Sequence, residues 1–416
     1  MNEDKDKKIN NDKGKNKQPP QKPDNKDNNE DDEEKKKRNA RALYFCTNKE
    51  DNAVAAVELD KDGMVSGRAS IWKTGGSGAQ GVDWKTKQSA APDSLFSSSA
   101  LVVVESLVFV VNSGSHTLSM LSIDKSNPLS LKKVGAPWKL PGEFPNTVTA
   151  SKKHRMVCVG MTGSKAGIAC APYSPESGIG RMDGNNWREF KLDQKTPPVG
   201  PGNTVSQVFF SGDESQLYAT VKGRPEEQKK GWFSAYDIKR NETNAWLGDE
   251  EHRSAPDGTA ELFGSAVIPG SRDVLVADSS FGIAVLGMDD KSKKAYAKHK
   301  LPVKDQKATC KAAISPVTKS AWVSDAGRNR LVEVSYQNDD VKVVSEIELS
   351  GNGWDGKSGL GDLKAGGEYV YALGAGTGAE VGITIVHAPS KKQVQYADLR
   401  GVGAGKSSMG MALWWS

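Results

Sequence analysis

Short stretches of alternating apolar and polar residues recur along the chain from residue 42 onward, with the period of two that is typical of β-strands. A turn rich in glycine, asparagine or serine follows each stretch, and a second alternating stretch follows the turn, so each pair predicts a β-hairpin. The seven hairpins begin at Ala42, Leu107, Met156, Gln216, Asp273, Ala321 and Glu368, at spacings of 47 to 65 residues.

This spacing is that of propeller blades, each of which is a small antiparallel sheet. Another apolar strand precedes most hairpins and would line the axis: Asn146–Ala150, Asn203–Phe210, Gly264–Ile268 and Ala308–Ile314. The first hairpin has no such strand before it, and Met409–Trp415 can supply the missing one. The pattern therefore predicts an all-β, seven-bladed β-propeller closed by the C-terminal strand. A stack of β-sandwiches is the alternative, which the even spacing disfavours.

Residues 1–41 differ in composition from the rest of the chain. They contain 13 Lys or Arg, 11 Asp or Glu and almost no large apolar side chains. Such a segment cannot bury enough apolar surface to offset the entropy lost on ordering, so we expect a disordered charged tail. The predicted domains are accordingly this tail, residues 1–41, and the propeller, residues 42–416.

Charge and hydropathy argue against several classes of partner. The net charge is +5, and no surface dense in Lys or Arg with interleaved aromatic residues is evident, so we expect no nucleic-acid partner. The longest apolar stretch, residues 100–111, is interrupted by Glu105 and is too short to span a bilayer. No secretory signal is visible at the N-terminus, which keeps a cytoplasmic location as an alternative to secretion. The oligomeric state cannot be read from the sequence.

The cysteines and histidines predict no metal site and no cofactor. The four cysteines form no C-x-x-C pair, and the five histidines are scattered. Cys158 and Cys170 lie opposite each other in the predicted third hairpin, within reach of a disulfide bond. We expect the bond to form if the protein is exported and two thiols if it is cytosolic, and we favour the bond. Asn241 begins an N-glycosylation sequon, which matters only on the secretory route.

Several longer segments resemble the fungal lactonase-like propellers, also described as 3-carboxymuconate cyclase-like proteins. The resemblance covers nearly everything after residue 41 and rests on residues 141–148, 196–201, 203–207, 262–270, 306–310 and 329–333. It implies a seven-bladed propeller with a small-molecule funnel at the axis, and it implies secretion, since most members are secreted.

Three functions stay open at this point. The resemblance implies a lactonase or cyclase that opens or closes a ring in a small organic substrate. Some similar fungal enzymes of secondary metabolism catalyse hetero-Diels–Alder cyclisations, a reaction that needs orientation and hydrogen-bond donors more than proton transfer. The third hypothesis is a secreted or surface binding protein without catalysis, since propellers serve as platforms as readily as enzymes.

The predicted site lies where the inner strands and the loops before them converge on the axis. Asn146, Asn203 and Gln207 are the predicted orienting hydrogen-bond groups, and Lys307 is the predicted cation for a carbonyl oxygen. Glu143 and Asp93 are the acids expected nearby. The structural alternative is that the amides satisfy their own turns and Lys307 points into solvent.

We predict that mild proteolysis removes about the first forty residues and leaves a resistant body, because an unpacked chain is cleaved faster than a folded one. Mass spectrometry of the digest measures the cleavage sites. Protection of this segment at the rate of the core would contradict the prediction.

Overall fold

The computed structural model describes residue 34 and residues 37–181, 186–337, 340–351, 359–375 and 381–415. Within these residues, seven antiparallel sheets of four or five strands form a ring. Their innermost strands contact one another in succession, and the last contacts the first, which closes the ring around one axis. The predicted all-β, seven-bladed propeller is therefore confirmed.

Blade 1 combines both ends of this ring. From the axis outward its strands are β33 (Met409–Trp414), β1 (Ala42–Cys46), β2 (Ala53–Leu59) and β3 (Val65–Lys73). Pairing of β33 with β1 runs from Ala42 opposite Trp414 to Cys46 opposite Met409. The backbone N–H of Arg41 extends this ladder by donating to the Trp414 carbonyl at 2.9 Å. The predicted closure by the C-terminal strand is confirmed.

Blades 2 to 7 each use four consecutive strands from the axis outward. Blade 2 contains β5 (Leu101–Val104), β6 (Leu107–Asn112), β7 (Thr117–Ile123) and β8 (Leu131–Lys133); blade 3 contains β10 (Pro145–Ser151), β11 (Met156–Met161), β12 (Ala166–Ser174) and β13 (Gly178–Ile179). Blade 4 contains β16 (Val205–Phe210), β17 (Gln216–Val221), β18 (Trp232–Arg240) and β19 (Ala245–Leu247); blade 5 contains β21 (Leu262–Val267), β22 (Val274–Asp278), β23 (Gly282–Met288) and β24 (Ala295–Pro302).

The last two blades follow the same order. Blade 6 contains β25 (Thr309–Ile314), β26 (Ala321–Asp325), β27 (Arg330–Ser335) and β28 (Lys342–Glu348); blade 7 contains β29 (Leu360–Gly366), β30 (Tyr369–Ala375), β31 (Val381–His387) and β32 (Lys392–Asp398). All seven predicted hairpins are the second and third strands of their blades.

Among the described residues, five additional short strands lie outside the four-strand pattern of the blades. Strands β9 (Trp138–Lys139), β14 (Trp187–Phe190) and β20 (His252–Ser254) pair with the third strands of blades 2, 3 and 4. Strands β4 (Val82–Asp83) and β15 (Val199–Gly200) form a two-stranded parallel sheet outside the blades. Short 3₁₀ turns lie at Pro225–Glu227, Ala326–Arg328 and Arg400–Val402. In the part of the chain that the structure describes, no helix is long and apolar enough to cross a membrane.

The core lies between the blades, which explains why the second strands are buried on both faces. In β22, Val274 and Val276 pack with blade 4, whereas Leu275 and Ala277 pack with blade 6. Alternate residues of a strand point to opposite faces of the sheet, so each face of a blade fills the gap to one neighbour. The outer strand β28 instead alternates between exposed and half-buried residues, because one of its two faces is turned to solvent.

Cys158 and Cys170 are opposite each other in the β11–β12 pair and form a disulfide bond, with Cα atoms 4.1 Å apart. The predicted register and bond are confirmed. Both residues are fully buried in the core between blades 3 and 4. Cys46 and Cys310 are buried free thiols.

The charged N-terminal tail falls largely outside the described residues, which omit 1–33 and 35–36. The last residues before β1 contact blade 1: the Trp415 indole N–H donates to the Arg38 carbonyl, and Ala40 is buried. The tail's predicted disorder stays a prediction.

Removal of residues 409–416 is expected to make the protein aggregate and lose its cooperative thermal transition. The truncation deletes the buried side chains of Met409, Met411 and Leu413 and leaves the β1 edge unpaired. Light scattering and thermal unfolding measure the effect. A chain ending at Trp414 retains the whole strand and is the control. A soluble 408-residue chain with an unchanged melting temperature would contradict closure by β33.

Candidate functional site

A segment of the chain between blades 1 and 2 crosses the axis of the ring. This axial segment, Asp93–Ser99, is hydrogen-bonded by groups from four different blades. The contacts run from the Leu95 N–H to the Met409 sulfur at 3.1 Å, from the Asn146 amide to the Leu95 carbonyl at 3.1 Å, from Lys222 Nζ to the Phe96 carbonyl at 2.5 Å, and from Lys311 Nζ to the Ser97 carbonyl at 2.5 Å. Only a segment at the centre of the ring can reach all four blades.

Phe96 joins the axial segment to the small parallel sheet. Its backbone has a φ of +55°, and its ring lies against the backbones of Gly81 and Gly200. A Cβ atom at either glycine would come within 2.2 and 2.6 Å of the ring, respectively, so both positions require glycine for this close approach. The Phe96 ring thereby holds strands β4 and β15 in place beside the axial segment.

Two fully buried lysines hold the axial segment in place. Lys222 follows β17, and Lys311 lies on β25. The Nζ atoms lie 4.3 and 5.2 Å from the centre of the Phe263 ring, and Lys311 Nζ is 3.8 Å from an Asp93 carboxylate oxygen. An ammonium is costly to bury without partners, and here backbone carbonyls, a ring face and a carboxylate compensate for the lost water.

Burial lowers the pKa of Lys222 to about 7, because the charged ammonium loses its hydration. The negative charge of Asp93 opposes this shift, and the positive charge of Lys311 adds to it. The axial segment is thus held by one amine that titrates near neutral pH.

A cavity of about 360 Å³ lies beside the axial segment. Its lining comes from blades 4 to 7 and from the connection between blades 1 and 2: Asp83, Trp84, Lys85, Pro92, Asp93, Pro201, Glu226, Glu261, Phe263, Ser279, Lys307, Ala308, Cys310, Ala326, Gly359 and Leu360. Most of these residues begin inner strands or form turns between second and third strands, so the cavity opens at one end of the ring.

Glu261 is an acidic residue in the wall of this cavity. The side chain is partly buried, and this burial raises the pKa of its carboxyl group, with the nearby charge of Asp278 adding to the effect. The Ser279 hydroxyl donates to Glu261 Oε2. Lys307 is exposed in the same cavity. A carboxyl group with a raised pKa can exchange protons nearer to neutral pH than an ordinary glutamate.

Two of the six residues predicted from sequence line this cavity, namely Asp93 and Lys307. Glu143 lies elsewhere, where hydrogen bonds from Ser164 and Thr196, each 2.6 Å long, lower the pKa of its carboxyl group. It does not line the cavity described above.

The three predicted amides are buried and bind backbone groups. The Asn146 side-chain amide also donates to the Val205 carbonyl at 2.7 Å, and Asn203 donates to the Leu192 carbonyl at 2.6 Å. Gln207 accepts from the Ser265 N–H at 2.7 Å and donates to the Ser265 carbonyl at 3.1 Å, which links blades 4 and 5. These contacts agree with the structural alternative, and substrate orientation by these residues stays a prediction.

Sequence reasoning missed Glu261, although a positional signal existed. The inner strands of blades 3 to 6 each have an irregularity near their start, and the residues that resume regular pairing after it are Thr147, Gln207, Ser265 and Lys311. The residues four positions earlier are Glu143, Asn203, Glu261 and Lys307. Glu261 therefore occupies in blade 5 the position that the other three, all predicted as site residues, occupy in blades 3, 4 and 6.

The described residues offer no group of three His, Cys, Asp or Glu side chains that could hold a metal ion. Asn241 is exposed in the turn between β18 and β19, and its Oδ1 accepts the Thr243 and Asn244 N–H groups. Its glycosylation stays a prediction.

The fold is similar to solved structures of very different sequence. A candidate 6-phosphogluconolactonase from Bacteroides uniformis is 12% identical, with a TM-score of 0.57 over 89% of this chain and 99% of that chain. A second candidate 6-phosphogluconolactonase, from Bacteroides fragilis, is 12% identical, with a TM-score of 0.55 over 89% and 97%. A hypothetical selenium-binding protein from Sulfolobus tokodaii is 11% identical, with a TM-score of 0.58 over 90% and 93%.

These likenesses concern the fold alone and leave the activity open. No family model matches the sequence, and no curated protein matches it.

The pKa of Lys222 predicts a specific dependence of stability on pH. Its ordinary pKa is 10.5, so the folded state binds fewer protons than the unfolded state between about pH 7 and 10.5. The contribution of Lys222 to stability should therefore increase as the pH rises through this range. Thermal unfolding should show the melting temperature of the wild type rising relative to that of Lys222→Met.

The exposed Lys132 supplies the control, since Lys132→Met should leave the slope of the wild type unchanged. Parallel curves for the wild type and Lys222→Met from pH 7 to 10 would show that Lys222 has an ordinary pKa.

Proposed function

We propose that the protein is an enzyme that opens or closes a lactone ring in a small organic substrate, with Glu261 as general acid and base. The observation that carries the proposal is the Glu261 carboxyl group, partly buried in the cavity wall with a raised pKa. Ring opening requires proton removal from the attacking oxygen and proton delivery to the departing one, and a single carboxyl group can do both in turn.

The second requirement of this reaction is positive charge near the carbonyl oxygen. Negative charge develops on that oxygen when the carbonyl carbon becomes tetrahedral, and a nearby cation stabilises it. Lys307 is exposed in the same cavity, so its ammonium can reach a bound carbonyl group. This role agrees with the carbonyl-binding cation predicted from the sequence.

Asp93 has a different role in this proposal. Its carboxylate faces the cavity on one side and Lys311 on the other, at 3.8 Å. Because Lys311 is buried and also bound to the Ser97 carbonyl, it keeps Asp93 close to the axis. Asp93 can then accept a hydrogen bond from a hydroxyl group of the substrate, while the Phe263 ring offers an apolar surface to the substrate's carbon skeleton.

The similarity to the candidate 6-phosphogluconolactonases supports this class of reaction through the fold alone. The hetero-Diels–Alder hypothesis rests on the sequence resemblance and on the amides, whose donors are used in backbone hydrogen bonds. The binding-protein hypothesis predicts affinity for ligands without turnover, so a turnover assay separates it from the proposal.

Substitution of Glu261 by Gln is expected to lower kcat/KM for a hydrolysable lactone by about 100-fold or more, the usual contribution of a general acid–base group. A panel of γ- and δ-lactones, assayed by the acid they release, measures the change. The wild-type profile should fall on the acidic side at a pH above 4.5, the ordinary pKa of glutamate, and the variant should lack this limb.

Glu189 is exposed on β14, away from the cavity, so Glu189→Gln is the matched control and should keep wild-type turnover. Wild-type turnover in a folded Glu261→Gln variant would contradict the assignment. A loss confined to Glu143→Gln would instead favour the acid predicted from the sequence.

A further inference from the structure

We propose that Ser279 is a catalytic nucleophile and that the reaction passes through an ester between Ser279 and the substrate's acyl group. The inference rests on the proposed function, because it names the attacking atom within the same cavity. Ser279 lies in the turn between β22 and β23 and carries the one aliphatic hydroxyl among the described residues that line the cavity. This hydroxyl already donates to Glu261 Oε2, the bond that a nucleophile and its base require.

Asp278 holds the nucleophile and the base in a fixed relation. Its buried carboxylate accepts the backbone N–H of Ala260 at 2.8 Å and that of Glu261 at 3.1 Å, so it anchors the residues that lead into β21. It also accepts the Ser280 N–H at 3.0 Å and the Ser280 hydroxyl at 2.6 Å, and thereby fixes the turn that carries Ser279. One carboxylate thus positions both catalytic groups.

Blade 6 supports the same turn from the other side. The side-chain amide of Gln306 donates to the Ser279 carbonyl at 2.9 Å, and Lys307 is the next residue in the chain. The nucleophile, its base and the cation for the carbonyl oxygen are therefore joined through short hydrogen-bonded connections between two neighbouring blades. Such preorganisation keeps the reacting groups aligned without further ordering when a substrate binds.

Other nearby hydroxyl and thiol groups are less suited to attack. The Ser280 hydroxyl donates to Asp278, whose carboxylate also accepts three backbone N–H groups and is already engaged in fixing the turn. Burial raises the pKa of the Cys310 thiol, which disfavours the reactive thiolate. Burial also raises the pKa of the Glu261 carboxyl group, but there the shift favours catalysis, because a carboxylate with a raised pKa takes up a proton more readily.

The atoms balance without any co-reactant except water. Ser279 Oγ attacks the lactone carbonyl carbon and its proton passes to Glu261, while Lys307 stabilises the oxyanion. The ring C–O bond breaks, the departing oxygen takes the proton from Glu261, and the opened acyl chain remains esterified to Ser279. Water then attacks this ester and gives a proton to Glu261. That proton returns to Ser279 Oγ as the hydroxy acid leaves.

The test uses the full chain and two serine-directed probes, diisopropyl fluorophosphate and p-nitrophenyl acetate. We expect one covalent adduct by intact-protein mass spectrometry, and fragmentation of the tryptic peptide Asp273–Lys291 should place it on Ser279 rather than Ser280. Ser279→Ala should abolish the adduct, and Glu261→Gln should slow its formation at least tenfold. Circular dichroism and the melting temperature establish that both variants are folded.

Ser174 supplies the matched control, because its hydroxyl also donates to a glutamate, Glu176, at 2.6 Å but lies at a half-buried position outside the cavity. We expect no adduct on Ser174 in the wild type. Equal labelling of Ser174 and Ser279 would mean that the probes react with any serine hydroxyl next to a glutamate, and it would overturn the proposal. A folded wild-type protein that neither probe labels on Ser279 would also overturn it.

Lactone turnover separates this inference from the proposed function. Turnover that survives in Ser279→Ala would overturn the covalent route and leave ring opening by direct attack of water. An adduct on Ser279 without turnover of any lactone in the panel would support the nucleophile and contradict the lactone substrate.

Discussion

The site depends on two buried lysine side chains that donate hydrogen bonds to the carbonyl oxygens of one segment at the centre of the ring. Lys222 and Lys311 come from blades 4 and 6, and their partners are the neighbouring carbonyls of Phe96 and Ser97. Removing one partner from such a buried set costs about 1–3 kcal/mol, because the remaining polar groups stay buried without a hydrogen-bond partner. The two lysines therefore have a structural role. By holding the axial segment, they fix the position of Asp93 and of one wall of the cavity.

The axial segment also explains why a ring of similar blades has its cavity on one side. Blades 3 to 6 place Glu143, Asn203, Glu261 and Lys307 at equivalent positions, but only Glu261 and Lys307 face the cavity. The side chain of Asn203 is used by the Leu192 carbonyl, and that of Glu143 by two hydroxyl groups. The segment that crosses the axis breaks the symmetry of the ring and leaves open space beside blades 5 and 6.

The residues that the sequence predicts as site residues fall into two groups, which differ in what surrounds each side chain. Asp93 and Lys307 line the cavity, whereas Asn146 and Gln207 bind backbone groups of neighbouring segments. An amide at the start of an inner strand has the same local sequence pattern in both situations. Its partner is 50 to 60 residues away in the chain, so only the packed structure identifies it.

The sequence by itself determined the architecture: strand alternation, hairpin spacing and the apolar C-terminal strand specify seven blades and their closure, and the register of one hairpin specifies the pairing of Cys158 with Cys170. These features are local or repeat regularly, so they can be read along the chain. The tertiary structure alone decided that residues 93–99 cross the axis, that Lys222 and Lys311 are buried, and that Glu261 meets Ser279. Each of these depends on contacts between distant or irregular segments, which leave no periodic signal in the sequence.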